Sequence, residues 1–423
     1  CRCARTPFVI KFCPMKPIIR LSILIVLLLV TACTAAPTAA PTTAPSPTPA
    51  PTETPLPQPS STPTLVPTPT PVPFYLDATV WQQDPQVPVL MYHRFLPNRY
   101  TESTNTKLRL ADFQWQLEQL DAAGYSLISL ENWLNGNLTV PPGRRPLIFT
   151  MDDLFFADQI FLDKAGNPSP KSGLGWHWQF YQQHPDFGFS WALFFNMGDK
   201  LYANQETTDD WFINMPGWED ALSAAIIWCI EHDAAPYNHT YDHVRLDQTD
   251  NSLIAWELKK NDEVLRTFID RAGRGDLKSR LGNIIALPYS IWPASQSGRG
   301  VLAAHLTPEG KPVTAILEAD YHYRAAFMPA PYAEGFDAYK IPRVAALNDA
   351  ITMLVDRKAE FPVAAACALG PMDPGQVSDP AALMAQIQQA VAESRCPAGV
   401  YAVSGLLFRA QAGTVEPITL NTP

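Results

Sequence analysis

An α/β domain built on a parallel sheet or barrel is the fold this sequence predicts, and three observations carry the prediction. Short apolar runs alternate with helix-periodic segments from about residue 86 to residue 345. Of the 423 residues, 47% are hydrophobic and 11% aromatic, which suits a large core and excludes a fully disordered chain. The chemistry-bearing residues sit at the ends of the apolar runs, where such folds keep them. The pattern leaves an open sheet and a closed barrel equally possible.

The elements follow in order. The chain begins with Cys1, and its first Met is Met15. From there Lys16 and Arg20 precede an apolar stretch from Leu21 to Val30, which Val30-Thr31-Ala32-Cys33 closes. This is a secretory signal, too short to span a bilayer as a relaxed helix. It resembles a bacterial lipoprotein signal, which implies a start at Met15, a mis-called leader before it and a lipid on Cys33. An ordinary signal anchor is the alternative. Removing residues 1–32 takes away five basic and no acidic side chains, so the net charge goes from −10 to −15. No basic footprint exists for a nucleic acid. Residues 34–73 hold 14 Pro and 11 Thr and cannot bury a core. They read as a linker or stalk with a reach of at most about 120 Å.

A first buried strand is expected over 86–93 and a helix over 110–123, with Phe113, Leu117 and Leu120 on one face and Gly124 at its end. Strands are expected at 125–130 and 146–150, with a short helix at 132–134 between them. Later strands are expected at 190–195, 224–230, 283–287, 323–327 and 341–344, and the clearest later helix at 251–272. Residues 74–360 form the expected catalytic domain. Residues 361–423 form an extension packed on it, with a helix at 381–392 and a strand at 399–408. Seven Cys make no disulfide scaffold at this length. Cys367 and Cys396 can be bonded or free; bonded, they leave Cys229 as a buried thiol.

Four motifs stand at strand ends. Thr150-Met151-Asp152-Asp153 places two carboxylates after an apolar strand; it reads as a metal ligand beside a proton acceptor, or as a solvated turn. His239-Thr240-Tyr241-Asp242-His243 spaces two imidazoles four apart, which on a helical turn would bring both to one side. With one carboxylate they make a three-ligand set that leaves room for water. Pro288-Tyr289 ends a third strand and can offer a backbone N–H and an aromatic wall. Met91-Tyr92-His93 ends the first; His93 reads as an acid or base near neutral pH, or as a core histidine.

In this order the motifs resemble the polysaccharide deacetylase family, the NodB-homology domain of carbohydrate esterase family 4. The family's Thr-Phe-Asp-Asp-Gly is matched by Thr150-Met151-Asp152-Asp153-Leu154, and its His-Ser/Thr-x-x-His by His239 to His243. The segments at 87–95, 111–134, 286–290, 323–329 and 341–344 are similar to the branch acting on poly-N-acetylglucosamine-like polymers. Leu154 and Ser290 stand where the family has Gly, and a late Leu-His-Asp motif is missing; His305 and His322 are the later His.

The resemblance implies a distorted (β/α) barrel of fewer than eight strands and hydrolysis of an N-acetyl amide. It implies a divalent metal, zinc first, held by Asp153, His239 and His243. Asp152 would be the general base and the backbone N–H of Tyr289 would bind the oxyanion. His93 would be the acid. The partner would be an N-acetylated glycan polymer, and the location a lipid-anchored one at the bacterial cell surface or outer membrane. The rival is a deacetylase-like glycan-binding lipoprotein that no longer catalyses. A barrel glycosidase needs a second separated carboxylate that the sequence does not identify. Trp176 and Trp178 form an aromatic set that either stacks on sugar or packs an insertion.

Overall fold

The computed structural model describes residues 74–96, 102–154, 156–198, 216–319 and 327–421. The expected signal, Cys33, the stalk and His322 lie outside the described residues. Among these residues, no helix is long and apolar enough to cross a membrane.

The described chain opens with β1 (Phe74–Trp81), β2 (Gln86–Tyr92), β3 (Arg94–Leu96), β4 (Lys107–Arg109) and α1 (Leu110–Ala122). It continues through β5 (Tyr125–Leu127), α2 (Leu130–Leu134), β6 (Arg145–Asp152), α3 (Phe156–Gln159), α4 (Gly173–Gln183) and β7 (Trp191–Phe195). Then come α5 (Trp218–Glu231), β8 (Ala234–Asn238), α6 (Asn251–Arg271), β9 (Ile284–Ala286), α7 (Gln296–Ala303) and β10 (Ala315–Ala319). β11 (Phe327–Pro329), β12 (Ile341–Ala345) and α8 (Asn348–Asp356) complete this part.

Seven parallel strands run in the order β2-β12-β10-β9-β8-β7-β6, and β6 pairs back onto β2, which closes a barrel. The choice left open above is thereby settled as a barrel of fewer than eight strands. β5 attaches beside β6, and β11 runs antiparallel on β2. β6 is buried along nearly its whole length because both of its faces are covered. Ile148 belongs to an inner cluster with Val89, Phe194, Ala286, Leu317 and Ile341. Leu147, Phe149 and Met151 pack in an outer cluster with α1 and α5. The period of two therefore carries Thr150 and Asp152 to the same inner face as Ile148. α6 begins at Asp250, whose carboxylate accepts the N–H groups of Ser252 and Leu253.

Two expectations are corrected. Residues 224–230 are not a strand but the middle of α5, and the strand is β8, three residues after that helix. Eight consecutive or near-consecutive residues of α5, from Leu222 to Ile230, are buried on several sides, so the helix shows no polar face to betray its period. β10 is a barrel strand that the pattern does not announce.

The last elements are β13 (Ala365–Met372), α9 (Pro380–Ala392), β14 (Gly399–Val403), β15 (Leu406–Gln411) and β16 (Thr414–Pro417). They form a second sheet, β13-β1-β14-β15-β16, with β1 inside it. The expected strand over 399–408 is a hairpin instead. Ser404 (φ 50°) and Gly405 (φ 76°) make the two-residue turn. α9 covers one face of the sheet through Leu383, Ile387 and Ala390. Trp81, Val400, Ala402 and Leu407 join the inner cluster of the barrel. Cys367 and Cys396 are disulfide-bonded with Cα atoms 5.6 Å apart, and Cys229 is a buried free thiol.

Candidate active site

The barrel's strand ends bring the expected groups together. A cavity of about 140 Å³ is lined by His93, Asp152, Asp153, His239, His243 and Tyr289, together with Arg343 and Thr106. One ligand atom each from Asp153, His239 and His243 lies within 4.8 Å of the others.

Asp152 and Asp153 diverge because Asp153 takes a left-handed backbone, φ 64°. Asp152 stays on the inner face of β6. Arg343 grips it with both terminal nitrogens, at 2.5 and 2.8 Å. Burial alone would push the Asp152 carboxyl up, but the Arg343 charge, followed by His239 and the Arg343 hydrogen bonds, holds it well below the usual carboxylate range. Asp153 Oδ1 accepts from Asn196 Nδ2 at 2.9 Å. It stands 3.6 Å from His243 Nε2 and 3.8 Å from His239 Nε2.

His239 Nδ1 is 2.9 Å from the Ala286 carbonyl, so that nitrogen carries the proton and Nε2 is left facing Asp153. Burial lowers the pKa of both imidazoles, that of His243 to about 3, with the His239 charge as its second cause. Both are therefore neutral near pH 7, the form that ligates a metal. The donor set of one carboxylate oxygen and two neutral imidazoles, with a hydrogen bond behind each of Asp153 and His239, fits a divalent cation such as zinc.

The turn that carries the two histidines is not helical. Thr240 (φ 62°) and His243 (φ 52°) are left-handed, and the ring centroids come to 4.8 Å across a loop. Such backbone persists only where its surroundings hold it. Glu257 does so by accepting the N–H groups of Tyr241 and Asp242 at 2.9 and 2.8 Å. Asn238 accepts the N–H of Thr240 at 2.9 Å.

His93 lines the same cavity. Its Nδ1 is shielded from solvent and has no hydrogen-bond partner among the described residues. Burial, outweighing the Asp152 charge, lowers its pKa to about 4, so it rests neutral. Tyr289 is left-handed, φ 55°, with its ring 4.4 Å from that of His243. Leu154 needs no glycine-like backbone, because Asp153 makes the turn; its side chain is fully buried in the outer cluster.

Other expected residues stay apart from this cavity. Trp176 and Trp178 sit on α4, half-buried. Trp178 packs against Phe189, Trp228 and His232 at 5.1–5.3 Å. Trp176 packs on the outer cluster, so the aromatic set is the packing of an insertion. His305 pairs with Asp262 at 2.8 Å beside α6.

Sequence reasoning passes over two residues. Arg343 lies in the 341–344 segment, and a buried carboxylate such as Asp152 demands a cation; that demand was the available signal. Gln159 Nε2 donates to the carbonyls of His93, Asp152 and Asp153 at 2.8, 3.0 and 3.3 Å. No motif announces it.

No protein-family model matches the sequence, and neither does any curated protein. Among solved structures, the chain is similar to the deacetylase PplD of Streptococcus pyogenes in complex with acetate. The identity is 14% and the TM-score 0.41, over 65% of this chain and 98% of that one. It is similar to a polysaccharide deacetylase from Bacillus cereus at 16% identity and TM-score 0.40, over 66% of this chain and 69% of that one. IcaB from Ammonifex degensii is similar at 16% identity and TM-score 0.39, over 66% of this chain and 98% of that one.

Proposed function

We propose that this chain is a metal-dependent hydrolase that removes N-acetyl groups from an amino-sugar polymer. One observation carries the reading. Asp153, His239 and His243 converge within 4.8 Å beside a second carboxylate, Asp152, that Arg343 keeps ionised. Asp153, His239 and His243 would hold the cation, with zinc favoured by the donor set. A cation there supplies Lewis acidity to the acetamide carbonyl and to water.

Asp152 takes the proton of the attacking water, and Arg343 fixes the direction of its lone pairs. The backbone N–H of Tyr289 donates to the oxyanion as the carbonyl carbon becomes tetrahedral. The C–N bond then breaks, giving acetate and a free amine. The proton that Asp152 took from the water passes to the departing nitrogen through His93, which is neutral at rest and lines the same cavity. The resemblance of the leader to lipoprotein signals supports an exported protein, held to a membrane by lipid on Cys33 through the Pro/Thr stalk.

The test measures bound metal, acetate and new reducing ends with N-acetylglucosamine oligomers. Acetate without new reducing ends is expected, since the site cleaves an amide and not a glycosidic bond. Asp152→Asn should keep the metal and lower kcat by about 10²-fold or more. His239→Ala should lose the metal. Metal-loaded protein that frees no acetate from any N-acetylated glycan overturns the reading.

A further inference from the structure

The turn after β9 departs from ordinary backbone at two consecutive positions. Tyr289 (φ 55°) and Ser290 (φ 57°) are both left-handed, and neither is glycine. The family that the sequence resembles has Gly at the second of these positions, where such backbone carries no strain. A side chain keeps this conformation only where its surroundings fix it, and such outliers gather at functional sites.

The surroundings of Ser290 are specific. β9 and β10 pair from Ile284 and Ala315 to Ala286 and Leu317, and the Leu287 N–H still donates to the Leu317 carbonyl at 3.0 Å. An unbroken parallel ladder would next send the Ala319 N–H to the Leu287 carbonyl. That carbonyl instead accepts the Ser290 N–H, at 3.0 Å, because the chain turns there. The Ala319 N–H donates to the Ser290 hydroxyl at 2.7 Å, and the hydroxyl donates to the Ala319 carbonyl at 3.3 Å. One side chain thus continues the ladder where the backbone has left it. Trp292 Nε1 makes a second tie between the same two segments, to Glu318 Oε2 at 2.7 Å.

Tyr289 needs this support. Its side chain is 53% exposed, so its own packing does little to fix its backbone. Pro288 has no N–H, Ser290 donates to Leu287, and Ile291 donates to Pro288 at 3.0 Å. The Tyr289 N–H is left as the donor of the turn with no partner among the described residues. Leu287, Tyr289, Ser290 and Ala319 all line the cavity.

We infer that Ser290 is a positioning residue for the oxyanion donor: its hydroxyl ties the left-handed turn to the end of β10 and so fixes the Tyr289 N–H. This rests on the deacetylase reading for the charge that the N–H receives. A donor held in place before the reaction stabilises the transition state and leaves ground-state binding almost unchanged.

The experiment uses the zinc-loaded full chain as wild type, Ser290→Gly and Ser290→Ala. Ser290→Gly removes the hydroxyl and relieves the backbone, so it keeps the fold; Ser290→Ala removes the hydroxyl alone. Acetate release from N-acetylglucosamine oligomers is measured beside zinc content and the amide hydrogen exchange of Ala319, read by NMR with alanine-selective labelling. Removing an oxyanion donor outright costs about 10²- to 10³-fold in kcat, and loosening one should cost about 10-fold in both variants. KM and zinc content should stay as in the wild type, and Ala319 exchange should quicken by about 3- to 10-fold. Wild-type kcat in Ser290→Gly overturns the inference, as does unchanged Ala319 exchange in both variants. A raised KM with kcat unchanged overturns it in favour of direct contact with substrate, and lost zinc overturns it in favour of the metal site. Quickened Ala319 exchange, with a wild type that frees no acetate from any N-acetylated glycan, overturns the hydrolytic reading and leaves the tie standing.

Discussion

Asp152 and Asp153 are adjacent in sequence and opposite in surroundings. One left-handed residue turns the second carboxylate to two neutral imidazoles, while the first stays under Arg343. Gln159 ties the ends of β2 and β6 through three backbone carbonyls. Gln159→Leu leaves these carbonyls without that donor, at a cost of about 1–3 kcal/mol. Denaturant titration should show this loss, and acetate release should fall with the metal still bound. His177 is a different buried group, fully covered, with Nδ1 accepting from Trp191 Nε1 at 2.8 Å. Burial lowers its pKa to about 3, from 6.5 in the unfolded chain. The unfolded state therefore binds the extra proton between those values. The stability this group contributes is complete above pH 6.5 and is lost as the pH falls toward 3, by about 1.4 kcal/mol per pH unit. In His177→Gln, stability plotted against pH between 6 and 4 should lose about one proton of slope. An unchanged slope would show that His177 is charged in the fold.

At the scale of elements, function depends on how each strand ends. β6 ends in a carboxylate pair, β8 in a left-handed histidine loop and β9 in a left-handed tyrosine. α6 supports the second of these through Glu257, and its Trp256 meets the ring of Tyr241 in that loop. The second sheet shows a different dependence. One of its strands, β1, is far in sequence from the other four, and the bond between Cys367 and Cys396 spans a 29-residue separation that includes α9. Closing a loop of that length stabilises the fold by roughly 3–4 kcal/mol. Cys367→Ser should lower the thermal midpoint by several degrees and leave metal binding intact, because the bond lies in the sheet and not at the cavity. A loss of metal with the fold retained would show that the sheet positions the site.

At the scale of the molecule, the two sheets share one core. The inner cluster of the barrel continues into Trp81, Val400, Ala402 and Leu407 of the second sheet. The strand that opens the described chain, β1, is flanked by β13 and β14, both from beyond residue 361. The segment 361–423 is therefore continuous with the fold. Chemistry occupies the other side, at the C-terminal ends of the barrel strands, as the direction of parallel strands requires.

The sequence by itself determined the alternation of elements, the strand-end positions of Asp152, Asp153, His239 and His243, and the chemistry those residue types can perform. Each is written in local pattern: a period, an apolar run, a spacing. It misplaced the strand before His239, because a helix buried on several sides and a buried strand leave the same apolar run. It left Trp176 and Trp178 open between stacking on sugar and packing an insertion, because composition does not say which surfaces an indole meets. Tertiary structure alone decided the closure of β6 on β2 and the grip of Arg343 on a carboxylate 191 residues away. It alone decided the Gln159 contacts, the bond between Cys367 and Cys396 and the exposure of Trp256. The physical reason is common to these cases. Pairing between distant segments and the desolvation of buried charge depend on which surfaces meet, and no local pattern records that meeting.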